Sequence, residues 1–148
     1  MNTPLIPRPL HGVADYLYVP AVAAAPALFG FSHHQKPARL ARLISGGVLA
    51  STLLTRAEWG VWKLVPYKAH LTLDFAAGLG TIALPWLAGF ARDRRARNTF
   101  LVIGAISAGA GLLSGLFGGA REMPSAVAAS ASDEADGLTP PALAPVGA

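Results

Sequence analysis

The sequence predicts an all-α fold, a membrane four-helix bundle built from two tandem, parallel helical-hairpin repeats. Three observations lead there. Apolar residues make up 53% of the 148-residue chain and charged residues only 14%, against about 25% charged in an ordinary soluble domain. The charge is gathered into short stretches that separate four apolar segments, three of them near the roughly 20 residues a helix needs to cross about 30 Å of hydrocarbon. The chain also matches itself when shifted by 59 residues. Pro7, His11, Asp15, Pro26, Leu28, Gly30 and Phe31 then fall on Pro66, His70, Asp74, Pro85, Leu87, Gly89 and Phe90, which marks an internal repeat.

The first predicted helix runs from about Leu10 to Phe31, with Pro7 and Pro9 placed where proline suits a first turn. It contains Asp15, Pro20 and Pro26 and follows only one basic residue, Arg8, so it reads as a retained helix rather than a cleaved leader. Its end, Pro26-x-x-x-Gly30-Phe31, reads as a kink, a glycine cap and an interfacial aromatic. The second helix is placed at about Leu40 to Trp59; its uncharged centre is short, and Arg39 and Arg42 extend it by snorkelling. The third runs from about Tyr67 to Ala91 and repeats the ending as Pro85-x-x-x-Gly89-Phe90. The fourth runs from about Asn98 to Gly119. Residues 1–59 thus form repeat 1 and residues 60–120 repeat 2. Residues 121–148, rich in Ala, Pro and Ser, are expected to be a disordered tail.

Two spans per repeat give both copies the same orientation, so His11 and His70 share one depth, and Asp15 and Asp74 another. The two basic stretches inside the hairpins hold Lys36, Arg39, Arg42, Arg92, Arg94, Arg95 and Arg97, seven of the twelve basic residues. The excess of positive charge places these loops in the cytoplasm and both termini outside. Tyr16, Tyr18, Trp59, Trp62 and Tyr67 then form an outer aromatic belt. Gly111, Gly115 and Gly119 make a small-residue ladder on the fourth helix, with Gly46, Gly47, Gly78 and Gly80 on the second and third. These are expected to pack helices within the chain, with a homo-oligomer contact through Gly111, Gly115 and Gly119 as the other use.

The order H-G-x-x-D-Y, P-x-L-F-G-F, basic loop, T-x-x-E-x-G, H-x-x-x-D, P-W-L-x-G-F resembles bacterial SPW-repeat membrane proteins over roughly residues 5 to 118. The Ser-Pro-Trp positions read Ala25-Pro26-Ala27 and Leu84-Pro85-Trp86 here, so the resemblance lies in spacing and flanks. It implies an integral protein of the bacterial cell (inner) membrane with a repeat, and it implies no activity.

The candidate site is the doubled His-x-x-x-Asp step. Positions i and i+4 share a helix face, and an aspartate within a span needs partners. The first partner expected for each aspartate is the histidine one turn away on its own helix. Thr55 and Glu58, at the end of the second helix, are candidates at the same depth. Three readings stand: a structural polar clasp between helices, a site for a proton or small ligand, and a metal site of His11, Asp15, His70 and Asp74, since imidazole and carboxylate suit zinc or another divalent ion. His33 and His34 lie in a basic loop and are expected to be solvated or near headgroups.

The absence of cysteine excludes disulfides and thiol chemistry. No phosphate-binding loop, nucleophile elbow or dinucleotide fingerprint is present, so no enzyme and no cofactor are expected. The basic residues lack the interleaved aromatics of a nucleic-acid surface; the expected partner is the lipid bilayer. The leading expectation is a structural or interacting membrane protein, with a transporter-like or sensing protein as the alternative and a soluble four-helix bundle as the remaining one.

Overall fold

The computed structural model describes residues 4–116. Among these the chain forms four α-helices and no strand: α1 Arg8–Leu28, α2 Gln35–Leu54, α3 Tyr67–Leu87 and α4 Arg94–Leu113. The helices are 20 or 21 residues long, about 30 Å each. α1 packs chiefly on α2 and α3 chiefly on α4, giving two hairpins. Corresponding helix ends in the two hairpins are separated by the same 59 residues that separate His11 from His70.

Local chemistry sets these ends. Pro7 and Pro66 are the N-caps of α1 and α3, and their carbonyls accept the first helical bonds from His11 and His70 at 3.0 and 3.1 Å. At the other end, Gly30 and Gly89 adopt φ of +71° and +76°. The Phe31 and Phe90 amides reach back to the Pro26 and Pro85 carbonyls at 2.9 and 2.8 Å, as a left-handed glycine cap requires. Thr55 ends α2, and residues 55–66 fold back over it: the Val61 and Trp62 amides donate to Leu53 O, and the Leu64 and Val65 amides to Leu54 O. The carbonyls of the last turn, which have no helical partner, are thereby satisfied.

Several expectations are corrected. α2 starts at Gln35 and stops at Leu54, not Trp59, and α4 starts at Arg94 and stops at Leu113. α4 begins early because Asp93 caps it, accepting from the Arg95 and Ala96 amides at 3.0 and 3.2 Å. Of the seven basic residues assigned to loops, only Arg92 lies in one; the others occupy α2 and α4. Phe31 and Phe90 are not interfacial. They are buried with Val22, Ala41, Phe100 and Ile103 in an apolar core at the loop end of the bundle. Tyr18 and Tyr67 leave the aromatic belt: Tyr67 is buried, and the half-buried Tyr18 donates to Ile103 O at 2.9 Å. Gly111 packs against α3 backbone, the within-chain use expected of it, whereas Gly115 lies past the helix with φ +96°; Gly119 and the tail 121–148 lie outside the described residues.

Polar and apolar residues share the interior of the bundle, and large apolar residues also lie on its outside. Away from the Phe-lined end, the interior holds His11, Asp15, Ser45, Thr52, Thr55, His70, Asp74 and Ser114. The outer faces carry Leu10, Leu17, Leu43, Leu73, Trp86, Leu87, Val102 and Ile106, with Leu17 68% and Trp86 58% exposed. By length and composition, Arg94–Leu113 is the described helix long and apolar enough to cross a membrane.

Candidate functional site

Across the interior of the bundle, His11 and Asp15 of α1 meet His70 and Asp74 of α3 in one buried quartet. Both histidines are only 1% exposed. The closest contacts run between hairpins: His11 Nε2 lies 3.0 Å from Asp74 Oδ2, and His70 Nε2 lies 3.0 Å from Asp15 Oδ2. The same-helix pairs are longer, at 3.6 Å for His11–Asp15 and 3.3 Å for His70–Asp74. This corrects the expected first partner. At i, i+4 the two side chains rise from one face side by side, whereas facing helices let them meet end to end. The two Nε2 atoms are 3.4 Å apart.

The outer ring nitrogens are also held. His11 Nδ1 is 2.7 Å from Ser114 Oγ, and His70 Nδ1 is 3.0 Å from Thr55 Oγ1. Thr55 Oγ1 lies 2.6 Å from Ser51 O, a carbonyl that can only accept. A hydroxyl has one hydrogen, so with that hydrogen on Ser51 O, Thr55 accepts from His70 Nδ1–H. His70 Nε2 is then directed at the centre of the quartet, 3.0 Å from Asp15 Oδ2. Thr52 Oγ1 is within bonding distance of Asp15 Oδ2, at 3.1 Å, and of Val48 O, at 2.9 Å. Ser107 Oγ donates to the Asp74 backbone carbonyl at 2.9 Å.

Thr55 therefore belongs beside the quartet, and Glu58 does not. Glu58 makes a two-pronged ion pair with Arg8 at 2.6 to 3.0 Å near the helix ends. The Arg8 hydrogen bonds hold its carboxyl below the ordinary range against the opposing effect of partial burial. Thr52 and Ser114 were not anticipated. Ser114 was open to detection, since it stands 59 residues after Thr55; Thr52 was not, because its counterpart is Gly111.

At the opposite end the hairpins are joined again. His34 is exposed, as expected of a solvated residue, and its Nδ1 lies 2.5 Å from Asp93 Oδ2. Lys36 Nζ donates to Ala88 O at 3.1 Å and Arg95 Nη1 to Gly30 O at 3.4 Å, so each second helix caps the carbonyl end of the other hairpin's first helix. Burial raises the Asp93 carboxyl, but the Ala96 amide, His34 and the Arg95 amide outweigh it and hold the group below its ordinary value.

A family model for the SPW repeat domain matches residues 9–114, which span all four helices and the whole quartet. The chain is a member of the SPW repeat family. Proteins of the SPW repeat family are generally membrane-associated, which agrees with the outward leucines. In this SPW chain the proline of each motif, Pro26 and Pro85, supplies the carbonyl that closes the glycine cap of α1 or α3. No curated protein and no solved structure matches the chain.

Proposed function

We propose that this SPW protein is a multi-pass protein of the bacterial inner membrane with four spans, in which the quartet clasps two duplicated hairpins together. The role is structural or interacting rather than catalytic. One observation carries the reading: large apolar side chains face outward while histidine, aspartate, serine and threonine are buried between the helices beside the apolar core. In water this arrangement would expose apolar area and bury charge, both costly. In lipid the outward leucines are solvated, and polar groups glue helices from within.

The basic residues near the start of α2 and α4 favour a cytoplasmic position for that end, and the quartet then lies toward the outer face. Reporter fusions at residues 33, 61, 92 and the carboxyl end test this. The reading requires 33 and 92 inside, and 61 and the carboxyl end outside. Reporters at 61 and the carboxyl end in different compartments contradict it, as does release of the protein by carbonate without detergent.

The alternative, a transporter-like or sensing protein, is narrowed by space. Two cavities bordered by quartet residues measure about 30 Å³, beside Asp15 and Asp74, and about 10 Å³, beside His11 and His70. Such volumes admit a water or a bare ion, not an organic substrate.

A further inference from the structure

The quartet gathers two imidazole nitrogens and two carboxylate oxygens around one point, and we propose that it binds one divalent first-row ion of the zinc class. A tetrahedral ion with bonds of about 2.0–2.1 Å requires ligand–ligand edges of about 3.3–3.4 Å. Five edges of the quartet measure 3.4, 3.0, 3.0, 3.6 and 3.3 Å, and all four ligand atoms lie within 4.8 Å of one another. The donor set is two imidazole nitrogens and two carboxylate oxygens, which suits zinc or cobalt and leaves no thiolate to favour a softer ion. As ligands, two carboxylates and two imidazoles bring two negative charges, which a divalent cation balances.

The surroundings fit the same role. A metal-bound histidine usually fixes its other ring nitrogen through a hydrogen bond. Here Ser114 and Thr55 sit at His11 Nδ1 and His70 Nδ1, and the Thr55–Ser51 contact at 2.6 Å orients Thr55 to accept from Nδ1–H. That leaves His70 Nε2 directed at the centre. With four protein ligands the coordination shell is closed, as in structural rather than catalytic zinc sites. One His and one Asp come from each hairpin, so the ion ties α1 to α3. The inference deepens the clasp reading and rests on it for the role of the ion; ion binding itself is measured independently of topology.

The full chain, purified in detergent and stripped with a chelator, is titrated with Co²⁺ and then Zn²⁺. The expected result is one ion per chain, with the intense visible bands of four-coordinate cobalt that zinc abolishes. Asp15→Asn with Asp74→Asn should remove that binding. Ser114→Ala keeps all four ligands and should retain one ion per chain with affinity about 10–100-fold weaker. His33→Ala with His34→Ala should bind as the wild type does. No saturable binding by the folded wild type, a pale six-coordinate cobalt spectrum, or loss of the ion in the His33/His34 variant overturns the proposal. Should the double aspartate variant not accumulate, the wild-type spectrum and the other two variants decide the matter. A protein that binds cobalt as described yet is released by carbonate keeps the site and loses the membrane reading.

Discussion

In the first hairpin, Ser45 Oγ on α2 donates to the Val19 carbonyl on α1 at 2.8 Å. The corresponding positions in the second hairpin are Gly104 and Gly78, and the two backbones come together there. A Cβ at Gly78 would lie 2.5 Å from Ala108 N and 2.7 Å from Gly104 O. Higher up, Thr52 approaches the Asp15 carboxylate, while its counterpart Gly111 lets α4 lie against the Leu71 carbonyl. At these two matched positions one spacing of residues is thus closed in two ways, by side-chain hydrogen bonds in the first copy and by close backbone approach in the second, which places its own side-chain bond elsewhere, from Ser107 to the Asp74 carbonyl. The difference shows which features the hairpin shape depends on. Helix length, glycine caps and the His–Asp step are kept in both copies, while the means of adhesion varies.

The largest effect is expected where the two hairpins agree. Asp15→Ala and Asp74→Ala each remove one partner from a buried cluster and should each cost about 3–5 kcal/mol, read by thermal unfolding in detergent. If one is severe and the other silent, the two copies are not equivalent at the quartet. Next comes the glycine interface. Gly78→Leu should destabilise by about 3 kcal/mol or more because backbone cannot yield as a side-chain tip can. Val19→Leu at the matched position should cost less than about 1.5 kcal/mol. Equal effects would show that the second hairpin is not the closer-packed one.

Smaller still is Ser45→Ala, expected to cost about 1 kcal/mol for one lost hydrogen bond. The caps give a difference of similar size. Asp93 caps α4 with its side chain, whereas His34 makes no such bond to α2. Asp93→Ala should cost about 1 kcal/mol. The Asp93 carboxyl is held below its ordinary value of 3.8, so its contribution is complete above that value and is lost as pH falls through the depressed folded one. The gap in unfolding temperature between wild type and Asp93→Ala should therefore hold above about pH 4 and narrow as pH falls further, and a gap independent of pH would show that the charge is not involved.

Much of this was legible in the residues. The four helices follow from apolar runs separated by charge, and the quartet members from a spacing repeated at 59 residues. The cross-pairing was not legible, because i, i+4 spacing describes one helix and says nothing of which helix faces it. The early start of α4 was hidden because the arginines of 92–97 read as loop, although Asp93 stood in the capping position before them. Phe31 and Phe90 read as interfacial because aromatic residues after a glycine cap suit both a headgroup layer and a core. Hydropathy carries no sign that separates the two.

The central claim is that the quartet joins the hairpins through His11–Asp74 and His70–Asp15. A double-mutant cycle on His11→Ala and Asp74→Ala, compared with one on His11→Ala and Asp15→Ala, tests it most directly. The account predicts a coupling of about 1 kcal/mol or more for the cross-hairpin pair, exceeding that of the same-helix pair. Additivity of His11→Ala and Asp74→Ala within about 0.5 kcal/mol would contradict it.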